Sequence, residues 1–245
     1  EVVTWEEKLE KARWRIDSSL WSAVGLLVLV FLIFEYTELD LAVQDKCYNF
    51  ETRTWVVDGE SAPPRLWFYD GPKIGIILLG LGVLALALMP QNWRAKLPFK
   101  DIGRRHLWIA ILTIGTVPAV IGQLKASTNI FCPAEIERYG GEMPYVRVVE
   151  SYPEDNYPDR RGRCFPAGHP SGGFALVGLL GLAMTRRGQR LGVALAMIFG
   201  WSMGLYQMLV GSHYLGHVVI TMLIAWIGFL LWRRVFRVHR MPEKL

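Results

Sequence analysis

Cys164-Phe165-Pro166-Ala167-Gly168-His169-Pro170-Ser171-Gly172-Gly173 carries a polar loop straight into an apolar run. A second stretch, Gly211-Ser212-His213-Tyr214-Leu215-Gly216-His217, does the same further along the chain. The chain has five histidines, and three of them fall in these two stretches. Apolar membrane helices seldom carry ionisable groups without a task. Two imidazole clusters at one level of a helical bundle point to phosphate or metal chemistry at a water interface.

Outward from these stretches the chain is strongly apolar. Of its 245 residues, 52% are hydrophobic and ten are Trp. The mean hydropathy of +0.25 is too high for an ordinary soluble domain. A helix that crosses a bilayer needs about 20 apolar residues. Six stretches reach or approach that length: 18–36, 71–90, 106–123, 170–185, 190–211 and 213–232. The expected fold class is therefore all-α, a polytopic membrane protein with six transmembrane helices. The fourth stretch is short and rich in small residues, among them Gly172, Gly173, Gly178 and Gly181. Small residues let backbones approach closely, so a buried central helix is expected there.

Basic residues concentrate at one side of the spans, while the opposite segments, 37–70 and 124–169, mix acids and bases. Lys8, Lys11, Arg13 and Arg15 precede the first, and Arg94, Lys96, Lys100, Arg104 and Arg105 separate the second and third. Arg186, Arg187 and Arg190 separate the fourth and fifth, and Arg233, Arg234, Arg237, His239, Arg240 and Lys244 follow the sixth. The positive-inside rule assigns these segments, and both termini, to the cytoplasm. The net charge of +5 is then an orientation signal, and no nucleic-acid partner is expected. Residues 1–245 read as one membrane domain, with an amphipathic cytoplasmic segment over 1–17 and a basic cytoplasmic tail over 233–245. No cleavable signal peptide is expected, because the first span lacks a small-residue cleavage site. Nothing in the sequence fixes an oligomeric state.

Cys47, Cys132 and Cys164 all map to the non-cytoplasmic side. In an oxidising compartment a disulfide is expected. Cys132 and Cys164 bracket the longer loop and are the favoured pair, although parity alone does not assign it.

That loop, Lys125 to His169, is far longer than the 2–8 residues usual between helices. A Gly-rich turn opening a helix leaves backbone N–H groups free to meet an anion, and Pro170 suits the first helical turn. His169 then stands either at the mouth of a phosphate site or as a capping imidazole. His213 and His217 are four apart and on a helix would share one face. A metal site normally needs at least three protein ligands, and two histidines one turn apart cannot bind opposite faces of a haem. The remaining readings are a nucleophile oriented by its neighbour and an interfacial pair capping a helix.

Taken together, three segments resemble the type 2 phosphatidic acid phosphatase (PAP2) superfamily, whose motifs are Lys-six residues-Arg-Pro, Pro-Ser-Gly-His and Arg-five residues-His-three residues-Asp. Here they read Lys125-six residues-Cys132-Pro133, Pro166-Ala167-Gly168-His169 and Gln207-five residues-His213-three residues-His217. Order and spacing agree over about 70–232. Cys132, Ala167, Gln207 and His217 depart from the family residues, and two of these departures remove guanidinium groups that would clamp phosphate oxygens. Arg138, Arg161 and Arg163 are nearby substitute cations, and Gln207 stands as a position where activity is impaired if the guanidinium is essential.

The resemblance implies a PAP2-type helical core with its active-site loops on the non-cytoplasmic face, and a phosphatase acting through a phosphohistidine. His213 is the expected nucleophile and His169 the acid, with His217 orienting His213. Lys125, Ala167, Gly168 and Gln207 are the expected phosphate-binding positions. No metal or other cofactor is implied. Both imidazoles are expected to titrate near working pH, as unperturbed His does. The expected substrate is a membrane lipid phosphate or diphosphate, with lipid A or undecaprenyl diphosphate preferred. The expected location is a bacterial inner membrane with the site facing the periplasm or cell exterior. A lipid phosphotransferase and a catalytically impaired lipid-binding relative are the alternatives. The aromatic segment Trp55 to Tyr69 reads as an interfacial belt or as a wall of the head-group pocket.

Overall fold

The structure, a computed structural model, describes residues 5–98, 100–183 and 185–238. Residues 1–4 of the N-terminal segment, and His239, Arg240 and Lys244 of the basic tail, lie outside the described residues. Helix α1 (Trp5–Tyr36) leads into the short α2 (Leu39–Gln44). A small antiparallel hairpin follows, β1 (Tyr48–Asn49) and β2 (Thr54–Trp55). Then come α3 (Gly71–Leu88), α4 (Arg104–Ser127), α5 (His169–Ala175), α6 (Arg186–Leu209) and α7 (Leu215–Val235). A helical turn at Ala62–Arg65 and a π turn at Leu66–Asp70 run into α3, giving one apolar rod over Ala62–Leu88.

Among the described residues five helices are long and apolar enough to cross a membrane: Asp17–Tyr36, Ala62–Leu88 and the whole of α4, α6 and α7. Large apolar side chains such as Leu78, Leu81 and Ile198 point outward, at 63%, 55% and 63% exposure. A water-soluble fold would bury most of these, whereas hydrocarbon solvates them at no cost. At one end of the bundle Arg234 at the close of α7 meets Asp17 at the start of the α1 span, 3.3 Å apart.

The fourth predicted span is the short buried rod its small residues imply, but it is not one continuous α-helix. Over 170–185 the chain forms seven residues of α-helix and then a 3-10 run, Leu176–Leu182. At the usual rises these make a rod about 24 Å long, and it is not among the five long apolar helices. Its small residues explain its position. A Cβ on Gly173 would lie 2.6 Å from the Gly200 backbone nitrogen of α6, and one on Gly178 would lie 2.8 Å from Thr113 Cβ of α4. The rod is therefore wedged between two helices at backbone distance, with its own Phe174 and Ala175 buried. The last span also shifts. It starts at Leu215, so His213 precedes the helix and does not share a helical face with His217.

The Gly173 contact is directly testable. Gly173→Ala must push α5 off α6, and overpacking of this kind costs about 1–3 kcal/mol. A Cβ on Gly82 of α3 meets nothing within 4 Å. Thermal unfolding in detergent is expected to fall by several degrees for Gly173→Ala and to stay level for Gly82→Ala.

Candidate active site

The long loop is closed at its base before it presents any chemistry. Cys164 N–H donates to Ile130 O at 2.8 Å, and Gly162 N–H to the Asn129 side chain at 2.7 Å. The Thr128 hydroxyl donates to Phe165 O at 2.5 Å, and Cys132 and Cys164 are joined by a disulfide. The two ends of the loop thus run side by side, which sets Lys125, in the last turn of α4, beside the start of α5. Lys125 Nζ would lie 3.6 Å from a Cβ on Gly168, so the glycine leaves the ammonium room over the backbone.

His213 sits in the turn between α6 and α7. Gln207 O accepts from both Ser212 N–H and His213 N–H, at 2.7 and 3.2 Å. Gly211 has φ of +74°, and the Trp55 ring of β2 occupies the space a Cβ there would need. A side chain at 211 is excluded twice over, by backbone conformation and by packing. The turn delivers His213 to within 6.4 Å of His169 and 6.1 Å of His217, between ring centroids.

His217 does not face His213 as a hydrogen-bond partner. Its Nδ1 lies 3.1 Å from Cys164 O, while His213 Nδ1 lies 3.4 Å from Cys164 Sγ. Both imidazoles therefore converge on Cys164. The backbone N–H of Ala167 is directed at His217 O, at 3.4 Å, and Ala167 O accepts from the Thr221 hydroxyl at 3.0 Å. Gln207 is buried beneath the turn. Of the substitute cations, Arg138 forms a forked pair with Asp45 at 2.6 and 2.8 Å, and Arg161 donates to Ser127 O at 2.9 Å. Arg163 is exposed on the loop.

Cys132, Cys164 and His213 offer three ligand atoms within 4.8 Å of one another. A metal takes the thiolate form of cysteine, and both sulfurs here are committed to the disulfide. The cluster is thus a packed contact behind His213.

Burial changes the acid–base picture expected from sequence. It pushes the His213 imidazole well below its ordinary range, with His217 and Lys125 adding to the effect, so the ring is neutral and its free nitrogen is nucleophilic. His169 is pulled down to about 4 by burial first, then by the ammonium groups of Lys125 and Lys73.

Three participants were not legible as motifs. The Tyr69 ring lies 4.1 Å from that of His169, between centroids. Lys73, His169 and Ser171 line one cavity of about 570 Å³, whose walls are mostly apolar residues of α3 and α4 such as Ile76, Leu84 and Ile114. Asp40 of α2 is buried and accepts from Gly216 N–H at 2.7 Å, which pins α2 to the start of α7 next to His217. Within the Trp55–Tyr69 segment, Trp67 is 73% exposed, Trp55 packs against Gly211 and Tyr69 against His169.

The fold and this site define a helical, multi-pass membrane protein with a histidine-based centre at one end of its bundle. A family model described as the PAP2 superfamily matches residues 106–241, more than half of the chain, and the protein belongs to that superfamily. No curated protein and no solved structure matches it. Membership brings phosphatase chemistry with it.

Burial pushes the Asp40 carboxyl up to about 7, against the pull of Gly216 N–H. The folded chain then holds this proton more tightly than the unfolded chain, whose value is near 3.8. Stability should therefore fall as pH rises from about 4 to 7. Asp40→Asn keeps an acceptor for Gly216 and is expected to flatten that dependence, as read by thermal unfolding across this range.

Proposed function

We propose that the protein removes phosphate from a membrane lipid, on the non-cytoplasmic face of a bacterial cytoplasmic membrane, through a phosphohistidine on His213. The cavity between α3 and α4 carries this reading. Its walls are apolar along the helices, and its polar end is Lys73, Gly168, His169 and Ser171. An amphiphile with a phosphate head and a hydrocarbon tail fits that division. Lipid A and undecaprenyl diphosphate are the preferred substrates. The orientation follows from the basic residues, Arg104, Arg186 and Arg234 among them, at helix ends opposite the histidines.

In this mechanism neutral His213 attacks phosphorus. A P–N bond forms as the P–O bond to the leaving group breaks, and His169 gives that oxygen a proton. Water then attacks the phosphohistidine, His169 takes a proton from it, and the P–N bond breaks to release inorganic phosphate. The Cys164 carbonyl and sulfur hold the back of His213, with His217 fixing the carbonyl through its own Nδ1. Lys125 and the backbone at Gly168 face the charged oxygens, whereas Ala167, expected from sequence to bind phosphate, has its N–H directed at His217 O and its carbonyl at Thr221; Gln207 braces the turn from below. A phosphate dianion beside Lys125 offsets the cationic field on His169 and returns to it the proton that an acid must carry. No step calls on a metal or other cofactor.

His213→Ala is expected to lower phosphate release by about 10³-fold or more while leaving the melting temperature close to wild type. The assay is a panel of lipid A, undecaprenyl diphosphate, phosphatidylglycerophosphate and phosphatidic acid in detergent micelles. Near-normal release by the variant would remove His213 from the reaction. Loss of the lipid phosphate without free inorganic phosphate would instead identify a phosphotransferase.

A further inference from the structure

The two lysines near His169 stand in different places. Lys125 reaches Gly168 from α4 and does not line the cavity, whereas Lys73 does. The register of α3 against α5 locates Lys73 more closely. Ile76 Cδ1 lies 3.6 Å from the Cβ position of Gly172. Both helices start at the histidine end, so one turn back on each brings Lys73 opposite His169. One turn forward the wall becomes Ile76 and Ile77, and it stays apolar to Leu84. From Lys73 to Leu84 that wall runs for about 16 Å at the helical rise. From the head inward, the order is Lys125 and Gly168, then His169 with Lys73, then hydrocarbon wall.

Lys73 meets no acid among the described residues. Asp70, one turn earlier, is paired with Arg65 at 3.4 Å, and Arg65 itself lies over the Tyr69 ring. Among the described residues no carboxylate forms an ion pair with Lys73. An ammonium on a flexible stem at the boundary between polar and apolar wall is suited to a charged group at the junction of head and tail.

We infer that Lys73 binds the phosphate nearest the hydrocarbon chain and so makes this site select lipid diphosphates over lipid monophosphates. The inference rests on the phosphatase reading above for the direction in which the substrate lies. A monophosphate presents its only phosphorus to His213, where Lys125 serves it. A diphosphate must place its second phosphorus between His213 and the tail, at the level of Lys73. That inner phosphate keeps a negative charge throughout, because it leaves with the lipid. Lys73 lies outside the region matched to the superfamily, which begins at residue 106. It supplies a cation to a site in which Cys132 and Gln207 stand where the family pattern has arginines.

The test uses the full chain in detergent with one polyprenyl chain carried as its diphosphate and as its monophosphate. Two quantities are read: kcat/KM for phosphate release, and Kd for each lipid on a His213→Ala background. Lys73→Gln is expected to lower the diphosphate-to-monophosphate preference about tenfold in both, the scale of one charge-assisted hydrogen bond. Lys73→Arg, which keeps the charge, is expected to retain most of it. An unchanged ratio overturns the inference, whether both lipids lose affinity together or neither does. So does failure of the parent chain to bind either lipid. Absence of phosphate release with a Lys73-dependent binding preference would overturn the phosphatase reading and leave the diphosphate site standing.

Discussion

The backbone and sulfur of Cys164 hold the site together. Its N–H is bound to Ile130 O, its carbonyl meets His217 Nδ1, and its sulfur is bonded to Cys132 and touches His213. One residue thus joins the loop after α4, the loop before α5 and the start of α7. In a membrane bundle, helices can slide and rotate against lipid with little hydrophobic penalty, so position must come from packing and polar contacts. Cys164 supplies these at the level where three histidines meet. The cross-link also limits how far the polar loop can open, because its two ends are tied 32 residues apart in sequence.

A second constraint works from inside the bundle. The short α5 and its 3-10 continuation lie at backbone distance from α4 and α6, and only glycine permits this at Gly173 and Gly178. Because the rod cannot shift without a clash, His169 at its head is held against the Tyr69 ring and opposite the α6–α7 turn. The small-residue composition that weakens this segment as a membrane span is what makes it a rigid mount. Length and apolarity mark six stretches, the fourth of them short; among the described residues the packing makes five long rods around that short central one.

Much of this was legible in the sequence because it rests on patterns with a fixed period or spacing. The long apolar runs marked α1, α3, α4, α6 and α7, and the glycines marked the buried rod. His169, His213 and Lys125 were singled out from loop positions, and the fold brings them to one end of the bundle. The turn holding His213 reads as helix in the sequence, because nothing local marks the positive φ of Gly211 or the Trp55 ring, more than 150 residues earlier, that fills the space beside it. Lys73 and Asp40 carried no local signal, and Tyr69 only that of the aromatic segment it closes. Each gains its meaning from a partner on another helix, and all three lie before the region that matches the superfamily.

The departures at 207 and 217 take on a different weight once burial is considered. A carboxylate behind the nucleophile, as the family pattern has it, stabilises an imidazolium. His213 here is enclosed and held neutral, and what faces its rear is a sulfur and a peptide carbonyl. Such partners select a tautomer without adding a charge that would itself need solvation. A buried Asp at 217 would bring a second desolvated acid close to Asp40, which burial already drives up to about 7. His217 avoids that conflict and still donates to Cys164. A guanidinium at 207 would likewise stand buried beneath the turn, with its charge opposed by no carboxylate in the turn. Gln207 and His217 therefore add no fixed charge to the buried interior, and the cations nearest His169 are Lys125 and Lys73.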